Sequence, residues 1–354
     1  MNAPVARLRG VATAVPRHVV TQPCARELAR QVFGEGRRDV DRLLSVFDNS
    51  GVERRNFCVA ADWFSAPHTF GERNGRYIDE ALTLSVDAAR SAMVDAGIEA
   101  EDIDAVCFVS STGLATPSLD ARLVLELGCP PSTRRDATFG HGCAGGVGGL
   151  ARSAALARGR PGSNVLLVAT ELCSLTFRFD DVSTTNLVAS SLFADGSAAV
   201  VVSTAGDGPA IVADSTTLWP DTADVMGFEF TEHGLGVVLD RSVPAVVRRH
   251  LGASVAEVCQ RAEIAVEEID HFLLHPGGAK VLDAYTDALP VERAGLERSW
   301  AVLADHGNMS APTALFVLQR ALRGRSSPPP EPGDVALVSA MGPGFAAEHV
   351  LLRW

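Results

Sequence analysis

The sequence predicts an α/β chain of stacked layers built by duplication of one unit, and three observations carry that expectation. Short runs rich in Val, Ile and Leu alternate with Ala-rich amphipathic stretches, the pattern of buried strands covered by helices. The segment AGIEAEDID at Ala96–Asp104, followed by AVCFV, is echoed near half a chain length later by AEIAVEEID at Ala262–Asp270, followed by HFLLH. Each half then repeats the order strand, loop, Ala-rich helix, Arg- and Pro-containing loop, strand. At 354 residues the chain is long enough for two such units, each with a substantial core.

In chain order, the apolar periodicity predicts helix 81–96, strand 106–110, helix 144–157, strand 165–170 and strand 198–203 in the first half. The second half follows with helix 254–262, strand 272–275, helices 279–288 and 311–322, and strands 335–340 and 350–354. The break AGDGP at Ala205–Pro209 interrupts a Val-rich run, so the expected halves are 1–207 and 208–354. Three consecutive prolines keep 323–334 out of helices and central strands.

Composition narrows the function. The net charge is −12 and Lys280 is the only lysine, which argues against nucleic acid or an anionic membrane as partner and leaves any polyanionic ligand to a local arginine cluster. No run reaches the eighteen or so apolar residues of a membrane span, and MNAPVARLRG lacks the apolar core of a signal peptide, so a cytoplasmic protein is expected. Seven scattered cysteines with no CxxC pair predict neither a disulfide framework nor a metal site.

Three motifs carry chemistry. FGHGCAGGVGGLARSAALARG, 139–159, sets Cys143 after a glycine turn at the start of a helix, where free amides and the positive helix end favour a thiolate. The glycines are expected to leave room for a substrate. FLLHPGGAK, 272–280, puts His275 at the carboxyl end of a strand, where catalytic groups of α/β sheets gather. DHGNMSAPTALF, 305–316, puts Asn308 before a helix, where alone it reads as an ordinary N-cap. Cys143 and Asn308 fall at nearly equivalent places in the two repeats.

Taken in order and spacing, GCAGG, HPGG, GNMS and GPGF resemble the type III polyketide synthases, the chalcone-synthase-like branch of the thiolase superfamily. LFADGSAAVVV, 192–202, and GPGFAAEHVLLR, 342–353, extend the resemblance over most of the chain. It implies a thiolase-like duplicated α-β-α-β-α fold, with Cys143 as nucleophile in the first half and His275 and Asn308 in the second. It also implies Phe193 as a gatekeeping phenylalanine, a homodimer, acyl-CoA and malonyl-CoA as substrates, and no permanently bound cofactor. A second gatekeeper of plant members falls on Val237, which suggests a wider entrance. The lysines that plant members use for coenzyme A are not matched, and Arg54 and Arg55 are the nearest basic pair.

SSTGLATPSLDARL, ELCSLTF, MGF and GNMSAPT look most like bacterial enzymes that extend fatty acyl starters into alkylpyrones and alkylresorcinols. By position, Thr112, Cys173, Thr176, Phe228, Val237 and Ser310 should line the pocket. The expected enzyme is an acyltransferase that condenses a medium or long acyl-CoA with malonyl-CoA by decarboxylative Claisen chemistry. Two alternatives stand beside it. A β-ketoacyl-carrier-protein synthase III-like enzyme shares the Cys, His and Asn but usually reads HQAN where HPGG stands here. A cysteine hydrolase requires Asn308 to orient His275 by a hydrogen bond.

Overall fold

A computed structural model describes residues 4–33, 40–178, 181, 183–231 and 234–354. The first half runs β1 (Arg7–Ala14), β2 (His18–Thr21), α1 (Gln22–Phe33), α2 (Val40–Asp48), β3 (Arg54–Phe57), α3 (Phe70–Ala96), β4 (Ile103–Val109), α4 (Leu119–Leu127) and β5 (Arg134–Thr138). It continues with α5 (Gly145–Gly159), β6 (Asn164–Leu172), α6 (Thr184–Leu192) and β7 (Asp195–Ser203). The second half runs β8 (Ala210–Leu218), β9 (Met226–Thr231), β10 (Gly234–Leu239), α7 (Val243–Arg261), β11 (His271–Leu274) and α8 (Ala279–Ala288). It ends with α9 (Glu297–His306), α10 (Thr313–Leu322), β12 (Val335–Gly342) and β13 (Ala346–Arg353).

The strand order exposes the duplication. A nine-stranded sheet runs β11-β12-β13-β8-β1-β7-β6-β4-β5, so β4-β6-β7-β1 and β11-β12-β13-β8 repeat one arrangement. In both, the first pair is parallel and the next two are antiparallel. The halves meet at β1 and β8 through the single pair Arg7 and Ala210. The echoed sequences form the same local structure: a short 3₁₀ turn, Ala100–Asp102 or Val266–Glu268, that leads into β4 or toward β11.

Period-two alternation sorts the side chains into layers. On β6, Leu166 and Val168 pack with α3 residues in an outer core, while Val165, Leu167 and Ala169 face a central core. That central core holds Leu150 and Ala154 of α5, Leu315 and Leu318 of α10, and Ala336 and Val338 of β12. Val335 and Leu337 of β12 face the opposite way, onto Leu251 of α7 and Leu282 of α8. The order is therefore helix, sheet, helix, sheet, helix, with α5 and α10 in the middle.

Two helices begin earlier than periodicity alone predicts. Helix α3 starts at Phe70 because Thr69 and Glu72 form a reciprocal capping box, and it ends at Gly97, whose φ of 65° suits a glycine C-cap. Helix α7 starts at Val243, with Pro244 in the first turn where a missing N–H costs nothing. Helix α10 starts at Thr313, later than expected, with Pro312 at its N-cap.

Candidate active site

The central layer brings the chemistry together. Cys143 lies in a 3₁₀ turn, Gly142–Ala144, that runs straight into α5. Gly142 has φ 47°, and a Cβ there would lie 2.7 Å from Pro343 Cδ, so the turn needs glycine for both conformation and space. The helical glycines have a different role from the one expected. A Cβ on Gly146 would stand 2.1 Å from the Ala311 carbonyl oxygen, and one on Gly145 2.6 Å from Val109 Cγ1. They let α5 approach β4 and the segment carrying Asn308; they do not open a path for substrate.

His275 follows the last residue of β11. Its N–H donates to the Ser339 carbonyl at 2.8 Å, and its own carbonyl accepts from Tyr285 Oη at 2.9 Å, so the backbone is held on both sides. The imidazole is buried, yet neither ring nitrogen has a hydrogen-bond partner among the described residues. A buried polar group left free in this way is costly unless a ligand completes it.

Asn308 is not the cap of α10, which starts five residues later. It pairs with Phe193: Asn308 N donates to the Leu192 carbonyl at 2.8 Å and Ala194 N donates to the Asn308 carbonyl at 2.9 Å. Its side-chain Oδ1 accepts from Ser310 N at 2.8 Å and lies 3.8 Å from Cys143 Sγ, while Nδ2 donates to the Gly277 carbonyl at 3.3 Å. No bond joins Asn308 to His275, which is the opposite of what a cysteine hydrolase requires.

Cys143, His275, Asn308 and Phe193 all line one cavity of about 840 Å³. Its walls are mainly apolar, including Val46, Val188, Leu192, Met226, Leu239, Val281, Met341 and Phe345. Lys280 and Arg241 also line it and are exposed to solvent. Burial pushes the Cys143 thiol up to about 11, against smaller opposing hydrogen bonds from Ser310 and Asn308, and drives His275 down to about 3. Desolvation therefore outweighs the helix-end effect expected from sequence.

The other expected pocket residues divide between the neighbourhood of Cys143 and places away from the cavity. Thr112 Oγ1 donates to Glu171 at 2.8 Å and accepts from Leu172 N at 2.9 Å, and Thr176 Oγ1 donates to the Cys173 carbonyl at 2.8 Å. Thr112 and Thr176 border a separate void of about 10 Å³, room for one water at most. Cys173 is buried close enough to Cys143 to feel its charge. Phe228 and Val237 face each other across β9 and β10, whereas Met226 and Leu239, paired two residues further on at the open end of the hairpin, reach the cavity. Ser310 contacts Cys143 through its hydroxyl.

The basic pair is corrected. Arg55 is fully buried and cannot meet a soluble phosphate, because its guanidinium is turned inward onto Ser190, Phe193 and Gln22. Arg54 is exposed but paired with Asp305 at 3.0 Å and is absent from the cavity wall. Sequence reading missed Lys280 and Arg241, although a lone lysine beside HPGG was a usable signal. It also missed Glu171, a carboxylate held by Ser110, Ser111 and Thr112, which burial pushes up to about 7.

Sequence models of chalcone and stilbene synthases match residues 2–207 (N-terminal domain) and 210–354 (C-terminal domain). The chain belongs to the chalcone and stilbene synthase family. It is 38% identical to a 1,3,6,8-tetrahydroxynaphthalene synthase of Streptomyces peucetius subsp. caesius over 97% of this chain and 92% of that one. It is 29% identical to an alpha-pyrone synthesis polyketide synthase-like protein of Mycobacterium tuberculosis, covering 98% and 91%. The crystal structure of the tetrahydroxynaphthalene synthase of Streptomyces coelicolor A3(2), a bacterial type III polyketide synthase, superposes with a TM-score of 0.93 at 30% identity, over 98% of this chain and 99% of that one. This chain is accordingly a type III polyketide synthase with the thiolase-like fold, an acyltransferase that performs decarboxylative condensation on coenzyme A thioesters without a permanently bound cofactor. No helix among the described residues is long and apolar enough to cross a membrane.

Proposed function

We propose that this type III polyketide synthase takes a medium or long fatty acyl group from coenzyme A onto Cys143 and extends it with malonyl units to alkylpyrone or alkylresorcinol-type products. The observation that carries this reading is the large apolar-walled cavity on which Cys143, His275 and Asn308 converge. Each methylene buried there contributes about 0.8 kcal/mol, so a long chain gains substantially over a short one. The tail runs along the Val188, Leu192 and Met226 side, because the void at Thr112 and Thr176, about 10 Å³, is too small for an alkyl chain.

Chemically, Cys143 Sγ attacks the acyl thioester carbonyl as its proton passes to His275, and coenzyme A leaves as the thiol after taking that proton. Malonyl-CoA then occupies the vacated cavity. Its carboxylate carbon–carbon bond breaks, carbon dioxide leaves, and the electron pair delocalises onto the thioester oxygen. An N–H of His275 and Asn308 Nδ2 donate to that oxygen in a dry site, the arrangement that stabilises a developing oxyanion best. The enolate carbon attacks the acyl thioester on Cys143, the Cys143 thiolate departs, and the lengthened chain rests on coenzyme A until it is reloaded. Phe193 closes over the malonyl group and excludes water.

Lys280, Arg241 and the uncapped start of α8 form the cationic rim that takes the coenzyme A phosphates in place of the expected Arg54 and Arg55. Residues 1–207 and 208–354 are read as the two duplicated halves. A homodimer in the cytoplasm rests on the family resemblance, with the open edge strand β5 as a surface available for pairing.

Incubation with acyl-CoAs from acetyl to palmitoyl plus malonyl-CoA, followed by mass spectrometry, tests the reading. Products carrying the long alkyl chain support it. A product formed only from malonyl-CoA, with every acyl starter ignored, replaces it with a malonyl-primed aromatic synthase, a reading favoured by the small void at Thr112 and by the 38% identity to a tetrahydroxynaphthalene synthase.

A further inference from the structure

A helix end leaves its last carbonyls without intrahelical donors, and in α6 that end is buried against the site. Each carbonyl there finds a donor from outside the helix. Arg55 Nη1 donates to the Ser190 and Phe193 carbonyls, both at 2.8 Å. Gln22 Nε2 donates to the Ser191 carbonyl at 2.9 Å, and the backbone N–H of Asn308 donates to the Leu192 carbonyl at 2.8 Å. Gln22 Oε1 accepts from the second terminal nitrogen of Arg55, so the two side chains are locked together. A cation at this place also meets the negative end of the helix.

The segment carrying Asn308 is thus hung on the same helix end that Arg55 and Gln22 grip. Gly307 completes the fit: a Cβ there would come within 2.8 Å of the Leu192 oxygen and 3.5 Å of Arg55 Cβ. Across the site, Asp195, whose charge Arg55 feels, is held by Cys58 N, Ser174 N and Ser174 Oγ. Neither Arg55 nor Gln22 lines the cavity, and both bear on where Asn308 and Phe193 sit.

We propose that Arg55 and Gln22 form a buried clamp on the C-terminal end of α6 that positions Asn308 and Phe193 for decarboxylation of malonyl-CoA. Arg55 is a positioning residue, not a coenzyme A contact. The inference rests on the reading of Asn308 as a donor to the enolate oxygen. Cys143 hangs from a different segment, so acyl loading and decarboxylation respond differently when the clamp is loosened.

Arg55→Lys keeps a cation at the helix end but lacks the planar fork that spans two carbonyls and Gln22. Gln22→Asn loosens the clamp while keeping Arg55. Folding is checked by circular dichroism, loading by intact-protein mass spectrometry with acyl-CoA, and decarboxylation by carbon dioxide release from malonyl-CoA. In the folded variants, acyl loading of Cys143 stays within about twofold while kcat for decarboxylation falls by roughly 10- to 100-fold at little-changed KM, the scale of loss a misplacement of about 1 Å produces. Equal losses in loading and decarboxylation overturn the clamp as a positioning device, and so does a folded variant with both unchanged. A rise in KM alone would return Arg55 to coenzyme A binding. If Arg55→Lys does not fold, the split or its absence in Gln22→Asn decides. Asn308→Ala separates the two levels: wild-type carbon dioxide release from it refutes the donor role, whereas its loss beside an unaffected Arg55→Lys refutes only the clamp.

Discussion

Asn308→Asp changes one atom at the point where decarboxylation is read. In the native site Oδ1 accepts from Ser310 N at 2.8 Å and Nδ2 donates to the Gly277 carbonyl at 3.3 Å. Aspartate keeps the first bond but sets a carboxylate oxygen against the Gly277 carbonyl, two acceptors with no hydrogen between them. Asn308 is buried and stands five residues ahead of α10, so no capping bond offsets the loss. Stability should fall by about 1–3 kcal/mol, the cost of an unsatisfied buried group. Losing the donor to the enolate oxygen should cost about 3 kcal/mol more in the transition state, roughly a hundredfold in rate. Carbon dioxide release from malonyl-CoA measures the rate, and thermal melts measure stability. Protonation of the new carboxyl restores a donor, so the variant should recover activity relative to wild type as pH falls. A folded Asn308→Asp enzyme with wild-type carbon dioxide release at pH 7 refutes the reasoning.

Gly146→Ala forces a Cβ to 2.1 Å from the Ala311 carbonyl oxygen between two packed segments. Overpacking of about 1–3 kcal/mol should exceed the ~1 kcal/mol gained in helix propensity, and a denaturant titration should show net destabilisation with slower condensation. Glu171 is fully buried and its pKa is raised from 4.5 to about 7, so the folded state holds a proton that the unfolded chain has lost within that window. Its stabilising contribution is present below pH 4.5 and is lost as pH rises through 7. Relative to wild type, Glu171→Gln should therefore gain up to about 3 kcal/mol between pH 4 and 8 in urea melts. Replacing Lys280 and Arg241 together by Ala should raise KM for both coenzyme A substrates several-fold at low salt and leave kcat nearly unchanged, with a difference that shrinks as salt screens the phosphates.

What was legible in the sequence were features that local chemistry marks. Alternating apolar runs and the AEDID and VEEID echoes carried the layered duplication, because each echo is a self-contained 3₁₀ turn leading toward a strand. Cys143, His275 and Asn308 stood out because glycine and proline turns flank them. Strands β1 and β8 were missed because Arg, Asp, Ser and Thr interrupt the apolar residues of RLRGVATA and AIVADSTTL, and their partners lie far along the chain. Helices α1, α2 and α6 were missed because tertiary packing around Gln22 and Arg55, more than propensity, holds them. The start of α3 was readable in principle from Thr69 and Glu72. Arg55 looked like a surface cation because nothing local announces that its fork meets three acceptors from two other segments. Thr112 and Thr176 were hard to place for a related reason: the partner of a buried threonine hydroxyl is set by tertiary contacts, not by sequence position.

The sulfur of Cys143 is the atom on which every condensation of the proposed cycle turns. Intact-protein mass spectrometry of wild type and Cys143→Ala after brief exposure to a long-chain acyl-CoA without malonyl-CoA tests this most directly. Wild type should gain the mass of one acyl group, released by hydroxylamine as a thioester is, and Cys143→Ala should gain none while keeping the same fold by circular dichroism. A stoichiometric thioester adduct that survives on Cys143→Ala would contradict the account.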